Sequence, residues 1–166
     1  MSNEVNVLVV YDSRTGNTEK MAFAIAEGAK TVEGAKVTVK KADETKLEDL
    51  LKADAIIIGS PTYYGQMSSK VKALFDKSVE IHGQLEGKVG AAFTSSGGTA
   101  TGAETTLLSI IEAMLIHGMI IQGKARGKHY GAAAVGAPNS RELETCKELG
   151  RRTAKLAYRL KHGGKK

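Results

Sequence analysis

Hydroxyl, amide and glycine residues are concentrated in one short stretch near the start of the chain, Asp12-Ser-Arg-Thr-Gly-Asn-Thr18. The stretch follows an apolar, β-branched run, Val5–Tyr11, and a helical pattern begins directly after it. A helix N-terminus has unpaired N–H groups and a partial positive charge, so it binds phosphate well. The hydroxyl side chains add donors, and Gly16 permits close backbone approach. The stretch therefore predicts a loop that binds the phosphate of a nucleotide-like cofactor.

This loop differs from two common phosphate-binding motifs. It does not read G-x-x-x-x-G-K-[ST], which excludes a P-loop NTPase, and it lacks the dinucleotide pattern G-x-G-x-x-G. Its donors suit one phosphate group rather than a pyrophosphate. The alternative interpretation is an ordinary strand-to-helix turn that carries a Ser or Thr cap.

Length and composition indicate an ordinary globular domain. The chain has 166 residues, which we divide into one domain, residues 1–162, and a basic tail, residues 163–166. No apolar run has the length of a membrane span and the N-terminus has no signal-peptide pattern, so we expect no membrane insertion. The single cysteine, Cys146, fits a reducing cytoplasm, where we expect the protein to be located. No Cys/His cluster has metal-ligand spacing, so we expect no metal site.

The positive net charge is unevenly distributed. Residues 1–140 contain 15 basic and 15 acidic side chains, whereas residues 141–166 contain 9 basic and 3 acidic ones. We interpret this excess as the solvated face of a terminal helix followed by a short basic tail. No interleaved aromatic residues or second basic stripe accompany it, so we expect no nucleic-acid partner.

Strand-like and helical patterns alternate along the chain, which predicts βαβ units and a parallel sheet. The predicted strands are Val5–Tyr11, Lys36–Lys41, Ala53–Ser60, Lys88–Thr94 and a fifth strand in two pieces, Met119–Gln122 and His129–Val135, which a basic insert, Gly123–Lys128, interrupts. The predicted helices are Thr18–Thr31, Leu47–Leu51, one from Ser68 or Ser69 to about Ser78, Glu104–His117, and a terminal helix capped by Asn139 or Ser140. The terminal helix is expected to bury Leu143, Cys146, Leu149, Thr153, Leu156 and Leu160.

Five strands with helical connections predict a three-layer αβα, doubly wound α/β fold with a five-stranded parallel sheet in the order 2-1-3-4-5. In such sheets the ligand lies beyond the carboxyl ends of the strands, where strands one and three diverge. Three loops leave those ends here, residues 12–18, 60–67 and 94–102, and all three are rich in Gly, Ser and Thr. The ligand site is therefore expected among these loops.

Several separated motifs are similar to those of a known family, the WrbA-type NAD(P)H:quinone oxidoreductases, within the flavodoxin-like FMN proteins. The matching segments are Gly59-Ser-Pro-Thr-Tyr-Tyr-Gly-Gln-Met-Ser-Ser69, then Phe93-Thr-Ser-Ser-Gly-Gly98 with Glu104-Thr-Thr106, then His117-Gly-Met119. The loop at residues 12–18 resembles the FMN-phosphate loop of flavodoxins. The resemblance covers nearly the whole chain. It implies a flavodoxin-like fold, bound FMN, NAD(P)H as co-substrate and a quinone as electron acceptor.

The resemblance also implies the site residues. The phosphate end of FMN would contact Ser13, Arg14, Thr15, Gly16, Asn17 and Thr18. One side of the flavin ring would contact Pro61, Thr62, Tyr63, Tyr64 and Gly65, and the ribityl chain and pyrimidine edge would contact Thr94, Ser95, Ser96, Gly97 and Gly98.

The resemblance implies a catalytic histidine as well. His117 matches a histidine of the family's substrate pocket, where it would donate a hydrogen bond to a quinone oxygen as charge develops. The alternative is a helix-terminal histidine that the helix dipole favours.

The chain departs from the family pattern at three places. The family usually has arginine and phenylalanine where this chain has Tyr63 and Tyr64, and it has a tryptophan near Ile81–His82 that a neighbouring subunit contributes. The segment 123–129 is also much shorter here. In the relatives such regions build the tetramer and part of the substrate pocket. We expect a homo-oligomer, either a dimer or a tetramer.

Two functions follow from the resemblance. In the first, the protein is an enzyme, and Lys124, Arg126 and Lys128 attract the phosphates of NAD(P)H unless they are only the solvated part of the insert. In the second, it is a flavodoxin-type electron carrier that cycles FMN between redox protein partners. The segment Gly65-Gln-Met67 lacks the carboxylate of such carriers, which favours the enzyme, whereas the short chain favours the carrier.

Overall fold

A parallel β-sheet runs through the centre of the structure, a computed structural model that describes residues 3–163. Its strands are β1 (Val5–Tyr11), β2 (Ala35–Lys41), β3 (Ala55–Pro61), β4 (Val89–Ser96), β5 (Ile120–Ile121) and β6 (Ala132–Val135). The strand order is β2-β1-β3-β4-β5, with β6 also paired to β4, and every pairing is parallel. The predicted sheet order is confirmed.

The fifth strand position is divided between β5 and β6. Ile120–Ile121 pairs with the beginning of β4, and Ala132–Val135 pairs with its end, from Phe93 to Ser96. The predicted interruption is therefore confirmed, but both pieces are shorter than predicted. His129 and Tyr130 lie outside the strand, because the chain of residues 122–131 leaves the sheet and rejoins it only at Ala132.

Within residues 3–163, five α-helices cover the two faces of the sheet. They are α1 (Asn17–Lys30), α2 (Leu47–Lys52), α3 (Ser69–Lys77), α4 (Ala103–Ile116) and α5 (Ser140–His162), with 3₁₀ turns at Ala42–Glu44 and Ser78–Ile81. The N-caps resolve two sequence alternatives: the Ser68 hydroxyl accepts a hydrogen bond from Val71, and the Asn139 side chain accepts one from Glu142. None of the helices within residues 3–163 is long and apolar enough to cross a membrane.

Alternate side chains of the central strands face two separate cores. On β1, Val7 and Val9 pack with α1 and α5, whereas Leu8 and Val10 pack with the core formed by α2, α3 and α4. Strand β3 is buried along its whole length, as expected for a parallel sheet covered on both faces. These two cores give the predicted three-layer αβα arrangement.

Helix α5 packs closely along α1. Its buried side consists mostly of small residues between Cys146 and Ala157, and the prediction that Leu160 is buried is wrong, because half of that residue is exposed. A Cβ atom on Gly150 would lie 1.9 Å from the carbonyl oxygen of Ile25, so a glycine is required for this approach. Of the predicted basic tail, residues 164–166 lie outside the described residues, and the domain division at residue 162 stays a prediction.

Candidate cofactor site at the carboxyl edge of the sheet

Three loops meet where β1, β3 and β4 end. We call them the first loop (residues 12–16), the second loop (residues 62–68) and the third loop (residues 97–102). Asp12 N–H donates to the Gly59 carbonyl at 3.1 Å, and Thr62 N–H donates to the Ser95 carbonyl at 2.8 Å. Gly102 lies so close to Gly65 that a Cβ on Gly102 would be 2.6 Å from the Gly65 Cα. The fold thus brings together the loops in which the sequence predicts cofactor residues.

The first loop leaves the N-terminus of α1 open. Gly16 is the N-cap residue with φ +89°, and no side chain among residues 3–163 caps the helix. The Ser13 hydroxyl instead accepts a hydrogen bond from Gly16 N–H at 3.1 Å, and Gly16 is the residue before the first residue of α1. Arg14 and Thr15 are exposed beside it. The helix therefore presents uncapped N–H groups with a partial positive charge, the donor set that suits a phosphate.

Thr18 ties the first loop to β4. It is buried, and its hydroxyl shares a hydrogen bond of 2.8 Å with the Ser95 hydroxyl. Asn17, the first helical residue, is half-buried beside it. Because the Thr18 hydroxyl is engaged inside the protein, this side chain positions the loop.

The second loop is a tight two-residue turn. Tyr63 and Gln66 exchange two backbone hydrogen bonds of 3.1 and 3.0 Å, and the central residues Tyr64 and Gly65 have φ values of +49° and +71°. Two central residues with positive φ are the signature of a type I′ turn. The Tyr64 side chain projects fully into solvent, and Tyr63 is 39 % exposed. The turn therefore presents an aromatic wall at the edge of the site.

Strands β3 and β4 extend further than predicted. Pro61 pairs with Ser95, so Ser95 and Ser96 continue β4 beyond Thr94, where the predicted strand ends. Thr94 is fully buried and its hydroxyl, which lies 2.9 Å from the Thr62 hydroxyl, donates to the Ser60 carbonyl. The prediction that a loop begins at Ser95 is wrong, because parallel pairing continues to the ends of both strands.

The third loop carries Gly97 and Gly98, which are predicted to contact the ribityl chain and the pyrimidine edge of FMN. The Ser96 and Thr101 hydroxyls both donate to the Gly98 carbonyl, at 3.0 and 2.7 Å. No atom would lie within 4 Å of a Cβ on Gly97, so this glycine borders open space. Sequence reasoning missed Gly136, whose N–H donates to the Ser96 carbonyl from the loop after β6. That loop also leaves a carboxyl end of the sheet, which is the signal that indicates it.

His117 does not lie with these loops in the same chain. Helix α4 begins next to Gly65 and its 14 residues span about 20 Å, so its C-cap residue His117 is at the opposite edge of the sheet. There, Gly87 N–H donates to the carbonyl of the adjoining Gly118. A catalytic role for His117 stays a prediction, and it requires the cofactor site of another copy of the chain.

His117 has a buried and weakly polar environment. Its Nε2 lies 2.7 Å from the Ser78 hydroxyl, and its Nδ1 is buried with no hydrogen-bond partner among residues 3–163. The ring centroid of His82 is 5.8 Å away. Burial, and secondly the charge of His82, lower the pKa of His117 below its ordinary value of 6.5. The neutral form is therefore favoured.

The basic insert docks on α5 rather than on the three loops. Lys124 pairs with Glu148, and the Arg152 guanidinium donates to the Gln122 carbonyl at 2.8 Å. Arg126 and Lys128 are exposed. The charge of Lys124 is thus already balanced within the protein, which leaves two of the three predicted basic side chains for an anionic ligand.

Comparisons with known proteins agree with this arrangement. The flavodoxin family profile matches residues 9–114, a range that contains all three loops. A protein of Aquifex aeolicus named flavodoxin is 44% identical over 156 residues, which cover 89% of this chain and 84% of the relative. A protein of Archaeoglobus fulgidus named NAD(P)H dehydrogenase (quinone) is 39% identical, with 93% of this chain and 98% of the relative covered.

A solved structure gives the same result for the fold. The crystal structure of the flavodoxin, WrbA-like protein from Agrobacterium tumefaciens aligns with a TM-score of 0.79 and 31% identity, and it covers 93% of this chain and 98% of its own. The similarity therefore extends over nearly the full length of both proteins.

Proposed function

This chain belongs to the flavodoxin family and has WrbA-like relatives, and we propose that it is an FMN-dependent oxidoreductase that passes two electrons from NAD(P)H to a quinone. One observation carries the cofactor part of the proposal, and the relatives named NAD(P)H dehydrogenase (quinone) support the reaction. The uncapped N-terminus of α1 opens beside the aromatic turn at Tyr63–Gly65 and the glycine loop at Gly97–Gly98, at the edge of the sheet where this fold binds ligands.

The first loop fits the phosphate group of FMN. The N–H groups at the start of α1 are donors without a side-chain cap, and Gly16 places no Cβ in the space beside them. Thr15 adds an exposed hydroxyl and Arg14 an exposed positive charge. The engaged hydroxyls of Ser13 and Thr18 fix the loop, so we assign them to positioning and the backbone donors to phosphate binding.

The second and third loops fit the flavin ring and the ribityl chain of FMN. Tyr64 and Tyr63 would form the aromatic side of the ring site, and the turn directs the Tyr64 side chain outward. The backbone at Gly97 and Gly98 would contact the polar edge of the ring, since glycine permits close approach. Bound FMN would supply the hydride and electron chemistry, which no amino-acid side chain provides.

The overall reaction balances without another reactant. NAD(P)H loses a hydride, and the quinone gains two electrons and two protons to become a hydroquinone, the second proton coming from solvent. For the phosphates of NAD(P)H, Arg126 and Lys128 are the available cations of the insert, because Lys124 is paired with Glu148. We propose that these two side chains contribute to attraction of the dinucleotide.

The second candidate function is that of a flavodoxin-type electron carrier, which passes electrons between redox protein partners. It is favoured by the Aquifex aeolicus relative, which is 44% identical and is named flavodoxin. The same three loops would bind FMN in both cases. The two functions differ in whether NAD(P)H and quinones react directly with the bound flavin.

An anaerobic titration distinguishes the two functions. The protein is loaded with FMN and then titrated separately with NADH, NADPH and dithionite while the visible absorbance of the flavin is recorded. The enzyme is expected to be bleached by at least one pyridine nucleotide, with two electrons taken up per flavin, and to be reoxidised by benzoquinone. Bleaching by dithionite with no response to either pyridine nucleotide would support the carrier instead.

Three further proposals concern assembly, partners and location. A homo-oligomer is supported by exposed apolar side chains on one side of the molecule, including Val79 and Ile116, which line a groove with His117. Such an assembly is also the arrangement in which His117 would approach the site of another copy. The absence of a nucleic-acid partner and a cytoplasmic location stay predictions.

A further inference from the structure

A buried tyrosine holds the carboxylate of the third residue of α1, the helix that follows the first loop. Tyr11 is the last residue of β1, and its hydroxyl donates to Oε1 of Glu19 at 2.6 Å. Glu19 is the third residue of α1, counted from Asn17. Side chains at this position point back toward the helix N-terminus, so an unrestrained Glu19 would reach the first loop.

In two other helices within residues 3–163, the acidic residue at this position folds back onto the helix N-terminus, in α2 while Asp49 is also paired with Lys40. In α2, Oδ2 of Asp49 accepts the backbone N–H of Lys46 at 2.9 Å. In α5, Oε2 of Glu142 accepts the backbone N–H of Asn139 at 2.9 Å. In α5 this is the return contact of a capping box with Asn139, and in α2 the return contact is made without a side-chain cap. Both contacts place a carboxylate at the helix N-terminus. Helix α1 has the same residue type at the same position without this contact.

In α1 the return contact would join Gly16 N–H to the Glu19 carboxylate, and each of these groups has another partner. Gly16 N–H donates to the Ser13 hydroxyl, and Glu19 accepts from Tyr11. We propose that Tyr11 is a positioning residue that holds the Glu19 carboxylate away from the first loop, so that the N-terminus of α1 stays open to the phosphate of FMN. This inference rests on the proposed function, because it concerns the same phosphate site.

The physical basis is repulsion between two anions at one helix N-terminus. A carboxylate folded back toward Gly16, whose N–H already donates to Ser13, would lie beside the open N–H groups of α1, and its negative charge would repel the phosphate there. Tyr11 suits the restraining role because it is 5 % exposed and its ring centroid lies 6.4 Å from that of Phe23. Burial, together with the Glu19 contact, raises the pKa of Tyr11 to about 12, so its hydroxyl remains a donor at neutral pH.

The test compares FMN with riboflavin, which lacks the phosphate. Dissociation constants of both are measured by flavin fluorescence for the apoproteins of the wild type, Tyr11→Phe, Glu19→Ala and the double variant. Tyr11→Phe is expected to weaken FMN binding about tenfold while riboflavin binding stays within about twofold. The substitution removes the hydrogen bond that holds the charged Glu19 carboxylate away from the phosphate site, and only FMN carries a phosphate. The double variant is expected to regain the wild-type preference for FMN, because no carboxylate remains to fold back.

A second variant tests the inference without changing Tyr11. Glu19→Asp shortens the side chain beyond reach of the Tyr11 hydroxyl but leaves an acid that can fold back, as Asp49 does in α2. It is expected to lose the preference for FMN over riboflavin, whereas Glu19→Ala keeps it. If the wild type prefers FMN and both Tyr11→Phe and Glu19→Asp keep that preference, the inference is overturned. A wild type that binds neither flavin would overturn the proposed function itself.

Discussion

At Tyr64 the chain holds a large aromatic residue in the left-handed backbone region, with φ +49°. Among residues 3–163, the one other non-glycine residue with positive φ is Ala100, in the third loop of the same site. A left-handed conformation costs a residue with a Cβ about 1–2 kcal/mol. Tyr64 recovers none of this cost by burial, because its side chain is fully exposed. Backbone strain of this kind concentrates at ligand sites, which agrees with a role for Tyr64 in binding the flavin ring.

Tyr64→Asn is expected to stabilise the apoprotein by about 1 kcal/mol, because Asn-Gly is the preferred pair in a type I′ turn. The same substitution is expected to weaken FMN binding by removing the aromatic wall. Chemical denaturation and flavin titration measure the two effects. Tyr130→Asn is the matched control: it replaces an exposed tyrosine that does not have positive φ, and it is expected to change neither quantity. A destabilised Tyr64→Asn apoprotein would contradict the account.

His117 is expected to make stability depend on pH. Its pKa is lowered in the folded protein by burial and by His82, so the unfolded chain binds a proton first as the pH falls. The contribution of the neutral ring to stability is therefore complete above about pH 6.5 and declines below it. The charged groups that line the same groove are Lys72 and Asp76, with His82 as the other titratable side chain.

The measurement is the thermal unfolding temperature between about pH 8 and pH 5, where His117 titrates in the unfolded chain. His117→Gln keeps a hydrogen-bonding group near Ser78 without the titration, and it is expected to flatten the decline toward acidic pH. An equally steep decline in His117→Gln would show that other groups cause it.

Helices α1 and α5 form a contact that depends on two glycines. A Cβ on Gly150 would lie 1.9 Å from the Ile25 carbonyl oxygen, and a Cβ on Gly28 would lie 1.8 Å from the Lys147 carbonyl oxygen. Both clashes are with backbone atoms, which cannot move aside without separating the helices. Since α1 carries the first loop at its N-terminus, the contact with α5 also fixes that loop.

Gly150→Ala is expected to destabilise the protein by about 1–3 kcal/mol through overpacking, although alanine is the better helix former. Lys155→Ala on the exposed side of α5 serves as the control and is expected to change stability by less than about 0.5 kcal/mol. Urea denaturation at equal protein concentration measures both. A Gly150→Ala protein as stable as the wild type would contradict the packing described here.

The elements that bury alternating or continuous apolar side chains could be predicted from the sequence, because a buried face requires apolar residues at a regular spacing. Strand β1 and the order of the sheet are examples. The ends of β3 and β4 could not be predicted, because Ser95 and Ser96 are small polar residues that continue the strand through pairing with neighbours distant in sequence. The contact between Tyr11 and Glu19 was missed for the same reason, since it depends on the packing of a strand against a helix.

In the whole molecule, the cofactor edge and the apolar surface near His117 lie at opposite ends of α4. Val79 and Ile116 are 70 % and 73 % exposed, which is unusual for large apolar side chains that lie beside one another. The sequence could indicate His117 as a site residue only through resemblance, because in a parallel sheet a helix that follows a strand begins at the ligand edge and ends at the opposite one.

Ile116→Asp is expected to shift the protein from a dimer or tetramer to the monomer, because a charge in an apolar interface loses its hydration. Sedimentation velocity measures the change. Leu160→Asp, which alters a half-exposed apolar side chain on α5, is the control and is expected to leave the assembly intact. A wild-type protein that sediments as a monomer would contradict the proposed assembly.

We propose that the three loops at the carboxyl edge of the sheet bind FMN through an open helix N-terminus. Calorimetric titration of the apoprotein with FMN is the test. We expect saturation at one FMN per chain, a yellow protein after removal of free flavin, and riboflavin binding weaker by at least about tenfold because it lacks the phosphate. A protein that shows no binding heat and stays colourless after incubation with excess FMN would contradict the claim.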